Sequence, residues 1–260
     1  MRISIIGSGN IGGAIARGLA KGTMFKASDI TCTAQSDETL EKMRKIDPDF
    51  ILTHDNVEAA RNADIIIIAV KPWRVEMIID EIKSVLDFEK QIIVSVAAGV
   101  TFDLLNSYLT MNTDIDCLAT PTIFRIMPNT AIEVMSSMTF VSARNASKEQ
   151  TDLIIHIFNE LGNAMLVEER LMGAGTALAS SGIAFALRYI RAAIEGGVEL
   201  GFYPKQAQES VVHLLLENKS NPEMEIDKVT TPGGITIKGL NEMELSGFTS
   251  SVIRGLKASK

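Results

Sequence analysis

The opening of the chain constrains its fold most. Arg2 to Ile6 is a short run rich in β-branched residues, followed by Gly7-Ser8-Gly9-Asn10-Ile11-Gly12 and then Ala14, Ile15, Ala16 and Leu19 at helical spacing up to Gly22. The pattern predicts strand, glycine turn, helix. In such a turn the first glycine permits the tight bend, the second lets backbone approach a pyrophosphate, and the third lets the helix pack on the strand. Gly7, Gly9 and Gly12, with Asn10 and Ile11 between them, are therefore the expected dinucleotide-binding turn. A glycine cluster alone is a weak signal; its place between a strand and a helix gives it weight.

The next strand pattern, Ile30 to Thr33, runs into Ala34-Gln35-Ser36-Asp37, where the adenosine ribose of a dinucleotide is expected. An acid at that strand end selects a free 2′-hydroxyl and a base selects a 2′-phosphate. Neither is expected at the ribose, because Asp37 reads as a helix N-cap. Gln35 and Ser36 are uncharged donors able to hold a phosphate. This favours NADP, with NADPH preferred and NADH left open.

Further strand patterns follow at Phe50 to Thr53, Asp64 to Val70, Gln91 to Val96, Leu118 to Ile126 and Thr139 to Ala143. Alternating with helical segments, they specify an α/β fold with a doubly wound, mostly parallel sheet. Lys71-Pro72 then stands at the carboxyl edge of that sheet, where ligands bind in open α/β folds. Ala97-Ala98-Gly99 closes the fifth strand with small residues that let a flat ring lie close to the backbone. Met127-Pro128-Asn129-Thr130 reaches the same edge.

The composition, 46% apolar and 22% charged, is that of an ordinary globular protein. A net charge of -7 argues against a nucleic-acid partner or an anionic membrane surface. Any anionic ligand must be captured locally. Leu171 to Leu187 is an uncharged run between Arg170 and Arg188, but as a helix it would span only about 25 Å of a hydrocarbon core about 30 Å thick. Its many Gly, Ala and Ser residues predict a helix in a tight crossing instead. Cys32 and Cys117 lie far apart in apolar stretches and read as core residues of a reduced compartment. His54, His156 and His213 have no metal-ligand spacing and read as structural, so no metal is expected. With a strand pattern at the very start, a cytoplasmic location is expected.

Beyond Leu166 the strand signals stop. The expected domains are residues 1–163, binding a dinucleotide, and residues 164–260, all helical. The helices of the second part are too apolar all round for a free-standing bundle, which predicts a homodimer sharing helices, with a higher assembly open. Within it, Asp227 to Leu240 contains Pro232-Gly233-Gly234 just before a helix pattern. Proline and glycine there can turn consecutive N–H groups into one anion-binding concavity, and Thr236 falls in the first helical turn.

Five motifs in this order have a family resemblance. The opening glycine turn, Ala69-Val70-Lys71-Pro72, Ser95-Val96-Ala97-Ala98-Gly99, Arg125-Ile126-Met127-Pro128-Asn129-Thr130 and Val229-Thr230-Thr231-Pro232-Gly233-Gly234-Ile235-Thr236-Ile237 together resemble pyrroline-5-carboxylate reductase over nearly the whole chain. The resemblance implies hydride delivery from reduced NAD(P) to the ring imine carbon of 1-pyrroline-5-carboxylate, giving L-proline. It implies that amides around Gly233 and Gly234 hold the substrate carboxylate and that the Thr236 hydroxyl meets the ring nitrogen as the catalytic side chain. Lys71 and Ser181 are the further substrate-side positions. Gly9 to Gly12, Ser36, Asn56, Ala69, Lys71, Ala97 and Asn129 match cofactor-side positions.

Two departures stand out. Where the family reads Ser-Gly-Ser-Gly-Pro-Ala, this chain has Ala179-Ser180-Ser181-Gly182-Ile183-Ala184, and Ile183 is expected to straighten a helix that proline bends. The helix from Lys205 to Asn218 is expected to be about two turns shorter than usual. Rival readings are reduction of another cyclic imine or a β-hydroxy acid, a silent NAD(P)-binding redox sensor, and a helical scaffold with a vestigial sheet. The lack of an acid-base lysine on the long helix weighs against the β-hydroxy acid.

Overall fold

The computed structural model describes residues 1–111, 120–217 and 235–258. The chain forms two compact units, Met1–Gly175 and Thr176–Lys260. In the first, β1 (Ile3–Ile6), α1 (Asn10–Lys21), β2 (Ile30–Thr33), α2 (Asp37–Ile46), β3 (Ile51–Thr53), α3 (Asn56–Arg61) and β4 (Ile65–Ile68) come first. They are followed by α4 (Val75–Ile82), β5 (Ile92–Ser95), α5 (Phe102–Thr110), β6 (Thr122–Met127), β7 (Ser137–Arg144), α6 (Lys148–Asn159) and β8 (Gly162–Leu166).

The strands form one sheet in the order β3-β2-β1-β4-β5-β6-β7-β8. Only the β6–β7 pair is antiparallel among them. The chain reverses its winding direction between β1 and β4. Side chains of β4 alternate between two cores: Ile65 and Ile67 join Ala14, Ile15, Leu19 and Phe158 on one face, while Ile66 and Ile68 join Val75, Ile79, Leu105 and Leu109 on the other. That is why its sequence is uniformly apolar rather than alternating. Cys32 is buried in the first core, and burial pushes its thiol up to about 12, so it is inert; Cys117 lies outside the described residues.

The sheet differs from the sequence reading at two places. β6 begins at Thr122, just after Pro121, which cannot donate to the ladder; Leu118, where the sequence reading starts this strand, lies outside the described residues. An eighth strand, absent from the sequence reading, pairs parallel to β7 from Gly162 opposite Ser137 to Leu166 opposite Val141. It has no β-branched residue and leaves Met165 and Leu166 exposed at the sheet edge, so neither composition nor alternation marks it. This strand runs through the expected border at 163, and the first unit continues to Gly175.

A polar network ties this last segment to the sheet. Glu169 Oε1 accepts from the Phe102 backbone N–H at 2.6 Å and from Arg125 Nη1 at 2.7 Å. The Arg125 side chain, 8% exposed, also lies 5.9 Å from the Phe102 ring centroid.

The short helix α7 (Met172–Thr176) closes the first unit. The second unit holds a π-helical turn, Ala177–Ser181, and then α8 (Gly182–Glu199), α9 (Pro204–Glu217), α10 (Ile235–Leu245) and α11 (Phe248–Ala258). Losing the proline does not restore regular α geometry. The Gly182 N–H donates to the Ala177 carbonyl, a π-type bond. Gly197 permits a close crossing of α8 and α9, because an added Cβ there would stand 3.1 Å from Ala207 Cβ. The helix expected to reach Asn218 is described to Glu217. Among the described residues no helix is long and apolar enough to cross a membrane.

Candidate functional site

A cleft of about 630 Å³ opens at the carboxyl ends of β1, β2, β4 and β5, where the sheet changes winding direction. Its floor is the glycine turn. Gly7 has φ of 97°, and its N–H donates to the Thr33 carbonyl at 3.2 Å. A side chain at Gly7 would be strained by that angle, and a Cβ on Gly12 would stand 2.2 Å from the Gly7 carbonyl oxygen. Gly12 is thus packed beneath the turn, not in the cleft.

Helix α1 points its N-terminus into the cleft. Its N-cap is Gly9, with no side-chain cap and no acid in the first turn. Side chains cap α2, α5 and α6 at Ser36, Thr101 and Ser147, while α4 continues from a 3-10 turn without one. A Cβ added to Gly9 would meet nothing within 4 Å. Uncapped amides facing open space beside a helix N-terminus suit an anion such as a pyrophosphate. The residues present therefore fit a dinucleotide.

Around that turn the cleft brings together most residues expected on the cofactor side. Gly7, Gly9, Asn10, Ile11, Gln35, Ser36, Asn56, Ala69, Lys71 and Ala97 all line it. A hydrogen-bond chain fixes one wall: the Gly7 N–H donates to Thr33 Oγ1 at 3.3 Å, Thr33 Oγ1 to Asn56 Oδ1 at 2.6 Å, and Asn56 Nδ2 to Glu81 Oε2 at 3.0 Å. Asn56 follows the α3 cap, which is Asp55. Lys71 precedes the short 3-10 turn Pro72–Arg74. Asn129 does not line the cleft; it is buried, and its Oδ1 accepts from the Ala131 N–H at 3.1 Å.

The ribose end departs from the expectation. Ser36, not Asp37, is the N-cap of α2, accepting from the Thr39 N–H at 3.4 Å. Asp37 turns to His54 instead, 2.9 Å from its Nε2, while His54 Nδ1 stands 2.6 Å from the Ala34 carbonyl. His54 lines the cleft, and these two acceptors raise its pKa above 6.5, Asp37 foremost. Arg74 reaches in from the turn after β4, and its Nη1 donates to Gln35 Oε1 at 2.7 Å. Sequence reasoning gave neither basic side chain a place in the cleft. Arg74 could have been found from its place three residues after Lys71 at the sheet's carboxyl edge; His54 follows the β3 end in the same way.

Of the substrate-side residues, Lys71 lines this cleft and the others belong to the second unit. Gly233 and Gly234 fall outside the described residues. Thr236 is the second residue of α10, in its first turn as expected, and Ser181 ends the π-helical turn.

Two family models match: residues 2–99 fit the NADP oxidoreductase, coenzyme F420-dependent, and residues 169–260 fit pyrroline-5-carboxylate reductase dimerisation. Pyrroline-5-carboxylate reductases 1 and 2 of Dictyostelium discoideum are each 36% identical over 99% of this chain. The chain spans 48% of the length of the first and 90% of the second. A solved pyrroline-5-carboxylate reductase from Coxiella burnetii aligns with a TM-score of 0.87 at 28% identity, covering 99% of this chain and 95% of that one. With cleft, helical unit and relatives in agreement from end to end, the chain belongs to the pyrroline-5-carboxylate reductase family.

Proposed function

We propose that the chain reduces 1-pyrroline-5-carboxylate to L-proline, the last step of proline biosynthesis, using reduced NAD(P) and preferring NADPH. The observation that carries this is the glycine-floored cleft with its uncapped helix terminus, in a chain matched by the reductase family over both of its units. The reduced nicotinamide, when bound, supplies the hydride.

The rest of the work falls to the chain. The Gly9, Asn10 and Ile11 amides hold the pyrophosphate against the α1 terminus, and Gly12 lets that terminus approach the strand. Gln35 and Ser36 hold the adenosine ribose and its phosphate, and Asn56, braced by Thr33 and Glu81, holds the wall beside it. Ala69 and Ala97 keep the carboxyl edge of the sheet free of bulk, and Lys71 supplies positive charge there. Asn129, buried off the cleft, positions the turn after β6 rather than touching the nucleotide.

An iminium carbon is already electrophilic, so orientation in a dry pocket supplies most of what the reaction needs. Gly233 and Gly234 amides hold the substrate carboxylate, Ser181 lies on the substrate side, and the Thr236 hydroxyl orients the ring nitrogen that gains the proton. The helical unit assembles with that of a second copy, making a homodimer.

The test follows reduced-nicotinamide absorbance with pyrroline-5-carboxylate present, with NADPH and NADH side by side. Steady turnover, faster with NADPH at equal low concentration, is the expected result. Binding of both cofactors without turnover would refute the reductase reading. Thr236→Ala is expected to lower kcat while leaving NADPH affinity within about twofold; an equal loss of binding would contradict its role.

A further inference from the structure

Arg74 stands where no motif places a charge. It is half-buried at the ribose end of the cleft, beside Gln35, Ser36, Thr39 and His54. The bond to Gln35 Oε1 at 2.7 Å spans 39 residues of sequence and aims the guanidinium across the end of β2. No carboxylate pairs with it among the described residues. One N–H of the fork is used by Gln35, which leaves the remaining donors for an acceptor in the cleft.

The surroundings favour an anion. His54 has an acceptor at each ring nitrogen, the Ala34 carbonyl at 2.6 Å and Asp37 Oδ1 at 2.9 Å. A carbonyl and a carboxylate only accept, so this arrangement favours the ring with a proton on each nitrogen. Asp37, the acid nearest the strand end, is 93% exposed and engaged by that ring. It is therefore directed away from the task an acid performs at this place in cofactors with a free 2′-hydroxyl. The Ser36 and Thr39 hydroxyls are hydrogen-bonded to each other at 3.0 Å, which leaves one of the two O–H groups able to donate to a phosphate oxygen.

We propose that Arg74 is the specificity-determining residue of this cleft, selecting a nucleotide phosphorylated on the adenosine ribose by closing its guanidinium on that phosphate. The proposal rests on the reading of the cleft as a dinucleotide site. Gln35 is the positioning residue: it holds the guanidinium over the strand end before the ligand arrives. A planar fork against a phosphate monoester gives charge-assisted, geometrically specific bonds that a lysine at the same place would only partly replace.

The experiment is calorimetric titration of the full chain with adenosine 2′,5′-bisphosphate and, separately, adenosine 5′-monophosphate, for wild type, Arg74→Gln and Arg74→Lys. Wild type is expected to bind the bisphosphate at least about tenfold more tightly than the monophosphate. Arg74→Gln is expected to lose about 10- to 100-fold in bisphosphate affinity while the monophosphate changes by less than about twofold, with Arg74→Lys between. The ratio of KM for NADPH to KM for NADH should rise by the same factor in Arg74→Gln. Unchanged bisphosphate affinity in Arg74→Gln, or an equal loss for both nucleotides, overturns the assignment. Equal binding of both nucleotides by wild type overturns it too, while leaving the dinucleotide reading intact. Binding of neither by wild type removes that reading and the proposal together.

Discussion

The two units solve the problem of apolar surface in opposite ways. The first sandwiches an eight-stranded sheet between two cores, so every residue of β1, β4 and β5 is buried. The second leaves large side chains open to solvent in the single chain: Leu200 is 86% exposed, Leu245 81% and Tyr203 77%. Among its described side chains, the buried apolar ones are Ala177 and Ala207. The first unit carries a large buried core of its own, and the second needs a cover, which a second copy provides in the dimer proposed here. The division matches the chemistry proposed for each, the cofactor on the sheet unit and most of the substrate side on the helical one.

The strongest way to break this contrast is at the floor of the cleft. Gly12→Val places a side chain into the Gly7 carbonyl, and nucleotide binding measured by fluorescence titration is expected to fall below detection. Retained affinity would show that the turn can reshape itself. The opposite break is made in the helical unit. Leu200→Glu with Leu245→Glu should give a sedimentation mass of one 28.2 kDa chain, with NADPH binding kept and turnover lost. An unchanged mass would mean that these side chains are not covered by the partner.

Smaller changes sharpen the picture of the first unit. Glu169→Ala leaves the buried Arg125 guanidinium unpaired and should cost about 3 kcal/mol of its unfolding free energy in urea. A loss well under 1 kcal/mol would show that water replaces the carboxylate. The smallest expected effect is at His54. Its pKa in the fold lies above 6.5, so its contribution to stability is complete below about 6.5 and is lost as pH rises through the raised value. The Tm difference between wild type and His54→Gln should therefore be larger at acidic than at alkaline pH; a pH-independent difference would contradict the ion pair with Asp37.

Much of the first unit was legible because its signals are local. Uniform apolar runs such as Ile65 to Ile68 announce strands covered on both faces, and Gly7, Gly9 and Gly12 announce a turn whose geometry only glycine tolerates. What escaped depends on contacts distant in sequence. β8 is a strand because β7 offers it an edge, not because Gly162 to Leu166 prefer extended backbone. Arg74 meets Gln35 only after the sheet brings β4 and β2 to either side of β1. The N-cap of α2 is Ser36, one residue before Asp37, which meets His54 instead, a pairing no local pattern reveals. The missing proline before Ala184 was read as straightening, yet a π-helical turn forms at Ala177–Ser181 without it.

The central claim is that a hydride passes from a nucleotide held in the glycine-floored cleft to a cyclic imine. The most direct measurement uses NADPH carrying deuterium at the transferable position of the nicotinamide, incubated with pyrroline-5-carboxylate and the full chain, with the product analysed by mass spectrometry. The account predicts proline that carries the deuterium on the former imine carbon, and its loss in Gly12→Val. Unlabelled proline, or consumption of substrate without proline, would contradict it.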